Sequence, residues 1–304
     1  MGSSQKRNIT VNTTARITQK HLAKIKKGVG ISLLLLASTT LNACSDDKTT
    51  ASNDIEPQKV LKIGTSPGDF GDLVRGYLGP ELEKAGYKVE LTEITDIVIP
   101  NVSVEEGVLD LNIYQHKPYM DEFNKVRNGH LAPLVQVPTA PYGIYGGKLS
   151  NVDQIKNGVT IGIPSNVTNF SRGLWILEGL GWIDLRPDIE DKFHIEKKDI
   201  IANPYNINIK EIEAPQMVRA REDLDYAIIN GNFANDAGIH FTEALFIEPS
   251  KYFVNWAVVH EKNLNAPWAH KVIEIINSDG FKEFSADRFA GYNLPLAWQE
   301  TPQK

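Results

Sequence analysis

The sequence predicts an α/β protein, and three observations carry that prediction. With 304 residues, 41% hydrophobic and 23% charged, the chain can bury the core of one or two domains. Short β-rich runs alternate with amphipathic stretches, "VLKIGTS", "GDLVRGYLGPELEKAG", "YKVELTEI" and "IPNVSVEEGVLD", and that order builds right-handed βαβ units around a parallel sheet. The pattern also echoes itself. "LKIGTSPGD" from Leu61 and "VTIGIPSNV" from Val159 share a strand, an Ile-Gly pair and a Pro/Ser loop opening a helix, while "LDLNIY" from Leu109 and "LDYAII" from Leu224 share Leu-Asp, two residues, then Ile. Two similar lobes would place the pairs in this order, although ordinary α/β strands also resemble one another by chance. Ligands of open α/β sheets sit beyond the carboxyl ends of the strands, so two such lobes would direct their loops into one cleft.

The chain starts with a segment to be set aside from the fold. Residues 1–27 carry Lys6, Arg7, Arg16, Lys20, Lys24, Lys26 and Lys27 and no acid, and they lead into the apolar run "VGISLLLLAS". A basic region followed by an apolar run too short to span a bilayer reads as a secretory signal over residues 1–43. It ends on "LNAC", which is similar to the lipobox of bacterial lipoproteins, with the single cysteine, Cys44, as the lipidated residue. Cleavage removes seven of 32 basic residues and none of the 38 acidic ones, so the mature formal charge is 25 minus 38, or −13. That acidity excludes an electrostatic footprint for nucleic acid and leaves membrane attachment to the acyl chains. Residues 44–58, "CSDDKTTASNDIEPQ", are polar and aperiodic and read as a tether.

The first loop of the fold contains Gly64-Thr65-Ser66-Pro67-Gly68, a match to the G-x-S-x-G elbow of serine hydrolases. That elbow needs the backbone N–H after the nucleophile as an oxyanion donor, and Pro67 has none. The loop instead reads as a strand-to-helix turn, with Asp69 a candidate N-cap for a helix beginning near Phe70.

Further along, "NIYQHKPYM" follows an apolar strand and groups Tyr114, His116 and Tyr119, residues able to form an apolar slot with a polar tip or simply to pack in a core. In "IPSNVTNFSRGLWIL", Asn169 and Arg172 lie where a loop becomes an apolar-faced helix, so the Arg fork can hold a carboxylate or lie on the surface. Asn230 ends the strand of "YAIINGNFAND", and Asn255 sits in "YFVNWAVV", a segment returning towards the first lobe. An Asn amide can donate to a carboxylate and accept from an ammonium, which suits a zwitterion, and it also serves at turns. The chain has no H-E-x-x-H, P-loop, G-x-G-x-x-G or second Cys, so neither metal nor cofactor is expected.

Taken together, "IVIPNVSVEEGVLDLNIYQHKPYM", "TIGIPSNVTNFSRGL", "IEAPQMVRA", "YAIINGNFA", "YFVNWAVV" and the terminal "LAW" resemble the methionine-binding lipoproteins of bacterial ABC importers, the NlpA lipoprotein family, from about Lys59 to Trp298. The resemblance implies a two-lobed periplasmic-binding-protein fold joined by two crossovers. Residues 59–143 plus 251–304 would form lobe I and residues 144–250 lobe II. It also implies binding without catalysis. Arg172 would pair with the ligand carboxylate, Asn230 and Asn255 would bond its backbone atoms, Asn169 would support the Arg loop, and Tyr114, His116 and Tyr119 would line the side-chain slot. The implied partners are a free amino acid such as methionine and the permease and ATPase of an importer, with the lipid anchor holding the protein to an envelope membrane facing the periplasm. D-methionine, another small amino acid, a dipeptide, or an outer-membrane adhesion role on the same fold are the alternatives. Three departures from the family pattern stand out: Asp96-Ile97 where Asp-Tyr is usual, Tyr114 where Phe is usual, and Pro164-Ser165-Asn166 where Pro-Asn-Asp is usual. A phenol at position 114 is expected to demand a partner in the slot and so to shift side-chain preference.

Overall fold

The computed structural model describes residues 59–250 and 252–299. The signal segment, Cys44 and the tether lie outside the described residues.

The chain opens with β1 (Lys59–Thr65), α1 (Asp69–Leu73), a wide helical turn over Val74–Leu78, α2 (Gly79–Lys84) and β2 (Tyr87–Glu93). It continues through α3 (Ile99–Glu105), β3 (Leu111–His116), α4 (Lys117–Arg127) and β4 (Leu131–Gln136). A second group follows: β5 (Gly143–Gly146), β6 (Thr160–Pro164), α5 (Val167–Gly179), β7 (Asp184–Leu185), β8 (Ile200–Ala202), β9 (Asn208–Ile212), α6 (Met217–Ala220), β10 (Tyr226–Ile229), α7 (Gly231–Asp236) and β11 (Phe246–Ile247). The chain then returns through β12 (Asn255–His260) and ends in α8 (Pro267–Asn277), α9 (Asp279–Arg288) and α10 (Leu296–Gln299).

Two five-stranded sheets result, ordered β2-β1-β3-β12-β4 and β11-β5-β10-β6-β9. β1 runs parallel to β2 and β3, and β6 runs parallel to β9 and β10, as the alternating pattern predicts. The sheets are nevertheless mixed: β12 lies antiparallel between β3 and β4, and β5 lies antiparallel between β10 and β11. These are the strands flanking the two crossings between sheets, so their direction follows from where the chain must go next. β12 confirms the expected return of the Asn255 segment to the first sheet.

Each sheet is covered on both faces. In β10, Tyr226 and Ile228 pack with Phe170, Leu174 and Leu177 of α5, whereas Ala227 and Ile229 face Met217 of α6. In the first sheet Leu61, Ile63, Leu111 and Ile113 meet Phe70, Trp268 and Phe281, and Leu109 and Val258 meet Met120 and Phe123 on the other side.

The sequence echo is a shared structural joint. Asp110 accepts from the backbone N–H of Lys62 at 2.8 Å and donates its own N–H back to the Lys62 carbonyl at 2.9 Å. Asp225 makes the same pair of bonds to Thr160, at 2.7 and 2.9 Å. The preceding leucines, Leu109 and Leu224, lie against Gly64 and Gly162, where any Cβ would overlap a leucine methyl. A Cβ at either position would force the leucine side chain to shift, so glycine permits that close approach.

Two local expectations change. Gly68, at φ 79°, caps α1, and Asp69 is its first residue. Asp69 turns inward instead, accepting from Asn235 Nδ2 at 3.0 Å and the Tyr292 hydroxyl at 2.9 Å, and burial raises its pKa. α5 starts earlier than its apolar face suggests, because Asn166 Oδ1 caps it by accepting from the Asn169 N–H at 3.1 Å. Asn169 and Arg172 therefore lie inside the helix, three residues apart and on one face.

Candidate ligand-binding site

Tyr114, His116, Tyr119, Asn169, Arg172, Asn230 and Asn255 all line one cavity between the two sheets, with about 540 Å³ of free space counting its mouth. The strand ends deliver them. β3 carries Tyr114 and His116, α4 starts directly after and brings Tyr119 back over them, and β12 sets Asn255 opposite His116. From the other sheet, α5 supplies Asn169 and Arg172, and Asn230 caps α7 beyond β10.

Arg172 is the organising side chain, buried at 5% exposure. The rings of Tyr142 and Phe253 each lie 4.2 Å from its guanidinium carbon, so the planar cation is stacked between two aromatic faces. Nη1 donates to Asn169 Oδ1 at 2.8 Å. Nε and Nη2 donate to Glu248, with the shortest contact at 2.7 Å. Guanidinium has five N–H donors, and these bonds use one on each nitrogen, leaving one N–H on each terminal nitrogen for a ligand.

His116 completes this group. Its Nδ1 accepts from the Tyr119 backbone N–H at 3.2 Å, so in the neutral ring Nε2 carries the proton and donates to Asn169 Oδ1 at 3.0 Å. Burial, reinforced by the Arg172 charge, pushes its pKa down to about 3. Arg172 is then the only charged side chain among the described residues lining the cavity, and Glu248 behind it balances that charge.

The slot is closed by tied phenols. Asp96 Oδ1 accepts from the N–H groups of Val98 and Ile99 at 2.6 and 2.8 Å, folding a turn that aims the Ile97 carbonyl inward. The hydroxyls of Tyr114 and Tyr119 both donate to that carbonyl, at 2.8 and 2.7 Å. Burial raises both phenol pKa values. The expectation that a phenol at position 114 leaves a hydroxyl in need of a ligand partner is therefore corrected: that hydroxyl is already bonded. Below the slot, Asn101, Asn112 and Gln115 form a buried amide network that fixes α3 to β3, including Asn101 to Gln115 at 2.8 Å and Asn112 to Asn101 at 2.9 Å.

The two asparagines differ. Asn255 Nδ2 donates to the Tyr114 carbonyl at 3.0 Å and its backbone N–H to Thr139 Oγ1 at 2.8 Å, which locks the side chain at the cavity wall. Asn230 Oδ1 is buried without a protein donor, an acceptor suited to an ammonium.

Sequence reasoning missed Glu248, Tyr142 and Phe253. Glu248 sits 76 residues from Arg172 in a polar stretch, and Phe253 precedes the singled-out Asn255 by two residues, where an aromatic before a strand carries no signal of its own. Ser66 is not in the cavity wall; its hydroxyl accepts from Asn232 Nδ2 at 3.2 Å, a bond between the two halves. Glu105, His130 and His260 bring one donor atom each within 4.8 Å of the others at the far end of β12. There, His130 Nδ1 faces Glu105 at 2.8 Å and His260 Nδ1 accepts from the Lys262 N–H at 3.2 Å, so both rings are engaged locally.

Among the described residues, no helix is long and apolar enough to cross a membrane. The family described as NlpA lipoprotein matches residues 61–297. The D-methionine-binding lipoprotein MetQ of Salmonella typhi is 30% identical over 261 residues, covering 84% of this chain and 93% of that protein. A nutrient binding protein from Burkholderia cenocepacia, solved bound to methionine, is 29% identical with a TM-score of 0.73 over 78% of this chain and 99% of that one. An ABC transporter periplasmic substrate-binding protein from Coxiella burnetii is 27% identical with a TM-score of 0.71, covering 77% and 99%.

Proposed function

The chain belongs to the NlpA lipoprotein family, and from that premise we propose that it is an extracytoplasmic solute-binding lipoprotein that captures a free amino acid, methionine first, and delivers it to the permease and ATPase of an ABC importer. Cys44 is the lipid anchor in this reading. The sheet of β1 to β4 with β12 belongs to one lobe and the sheet of β5, β6 and β9 to β11 to the other, and the two lobes close on the ligand.

The observation that carries the reading is the Arg172 fork, stacked between two rings and left with one N–H on each terminal nitrogen, facing a cavity that also holds the unpaired acceptor of Asn230. A carboxylate fits the first and an ammonium the second. Beyond them the slot offers the rings of Tyr114 and Tyr119 and the side chains of Ile97 and Phe233. A thioether is polarizable and apolar enough for such walls. With the phenols spent on the Ile97 carbonyl, the departures at positions 97 and 114 keep the slot apolar and remain compatible with methionine. Binding rather than catalysis is supported by His116, whose two nitrogens are both engaged, so it is not free to act as a base.

Calorimetric titration of the full chain in detergent, unfolded and refolded to strip retained ligand, tests this. Submicromolar binding of L- or D-methionine is expected, and Tyr114→Phe should retain it within about threefold because its hydroxyl bonds the protein alone. Absence of heat with both enantiomers would sink the methionine assignment.

A further inference from the structure

Arg172 does not meet the cavity as a free cation. Glu248, directly after β11, extends the edge of the second sheet by donating its N–H to the Tyr142 carbonyl at 2.8 Å. Its side chain is 5% exposed and that of Arg172 is 6% exposed. The carboxylate takes Nε at 3.1 and 3.2 Å and Nη2 at 2.7 Å, a side-on fork. Both partners stand on elements of the second sheet, so the pair does not depend on contact with the first.

Two consequences follow from this geometry. The guanidinium cannot rotate, because Glu248 holds one edge, Asn169 a third nitrogen, and two rings its faces. The cavity and its immediate backing also carry no net charge, because one buried anion cancels one buried cation and His116 is neutral there. A ligand that brings a carboxylate without an ammonium would leave an unbalanced negative charge in a dry site, whereas a zwitterion would not.

We infer that Glu248 is a positioning residue of the binding site that also sets its charge selectivity: it aims the Arg172 fork, and by neutralising it makes the cavity prefer a zwitterionic amino acid over the matching carboxylate. This rests on the amino-acid reading above and adds a discrimination which that reading does not require.

The test compares L-methionine with 4-(methylthio)butanoate, the same skeleton without the ammonium, on the full chain. Wild type should prefer methionine. Glu248→Gln keeps the shape and one acceptor but removes the charge, and it should shift the ratio of the two affinities towards the anion by about tenfold or more. Glu248→Asp keeps the charge and shortens the reach, so both affinities should fall while their ratio stays. Equal weakening of both ligands in Glu248→Gln, or a shifted ratio in Glu248→Asp, overturns the inference. If wild type takes up neither compound, the methionine reading fails by itself. The inference is then decided on ligand-free protein by the Arg172 Nε–H in nitrogen-15 NMR. Slow exchange with water that becomes fast in Glu248→Gln supports it, and equal exchange in both proteins overturns it.

Discussion

His116 shows how a buried polar residue writes itself into stability. In the fold its pKa is about 3, from burial first and the Arg172 charge second, whereas an unfolded histidine titrates near about 6.5. Between those values the unfolded chain holds a proton that the native chain lacks. Stability therefore falls as pH drops from about 6.5 to about 3, by at most about 1.4 kcal/mol per pH unit from this one residue. Urea unfolding at pH 7, 5 and 4 should show a steeper loss in wild type than in His116→Gln, and parallel losses would refute the assignment. At this scale the sequence was informative where polar side chains interrupt apolar strands: His116, Asn230 and Asn255 stand at strand ends, and Tyr114 lies two residues inside one. It was silent on Glu248, since a carboxylate in "EPSK" becomes meaningful only once the chain has folded it behind Arg172. The phenol of Tyr114 was misjudged for a similar reason, as its partner is a backbone carbonyl that no side-chain pattern reveals.

At the scale of elements, the twin Gly–Leu–Asp joint ties β1 to the start of β3 and β6 to the start of β10. A Cβ on Gly162 would stand 2.6 Å from Leu224 Cδ1 and 2.7 Å from Met217 Sδ, both buried. Gly162→Ala should destabilise by roughly 1–3 kcal/mol through overpacking, read as a lower urea midpoint with an unchanged slope. A midpoint equal to wild type would show that the leucine has room to move. The strand-helix alternation was legible because hydrophobic period changes mark each switch, and α3 fell in the amphipathic stretch predicted for it. The reversed direction of β5 and β12 was not legible, because strands of a sheet covered on both faces read as the same apolar run whichever way they point. The start of α5 was misplaced because Asn166, a cap by its side chain, reads as loop in sequence.

Across the whole molecule, contacts bridge the two halves around the cavity. Asn232 and Asn235 on α7 reach Ser66 and Asp69 at 3.2 and 3.0 Å, and on the opposite flank Glu122 of α4 meets His194 at 2.6 Å. These polar contacts, with the edge-on packing of Phe241 against Tyr292 at 5.8 Å, are local bridges, which suits halves that part and rejoin. Small-angle scattering on stripped protein should show a larger radius of gyration than on protein saturated with methionine. Identical radii would rule out closure.

The route of the chain has a consequence for its biosynthesis. The second sheet is built from one continuous stretch, β5 to β11, whereas the first cannot be completed until β12 arrives to fill the gap between β3 and β4. In a chain delivered N-terminus first, the edges of β3 and β4 that face β12 thus stay open until the next hundred or so residues have followed, although β3 already pairs with β1 on its other edge. The half that begins the sequence is the half that finishes folding last, and the strand that completes it also brings Asn255 to the cavity.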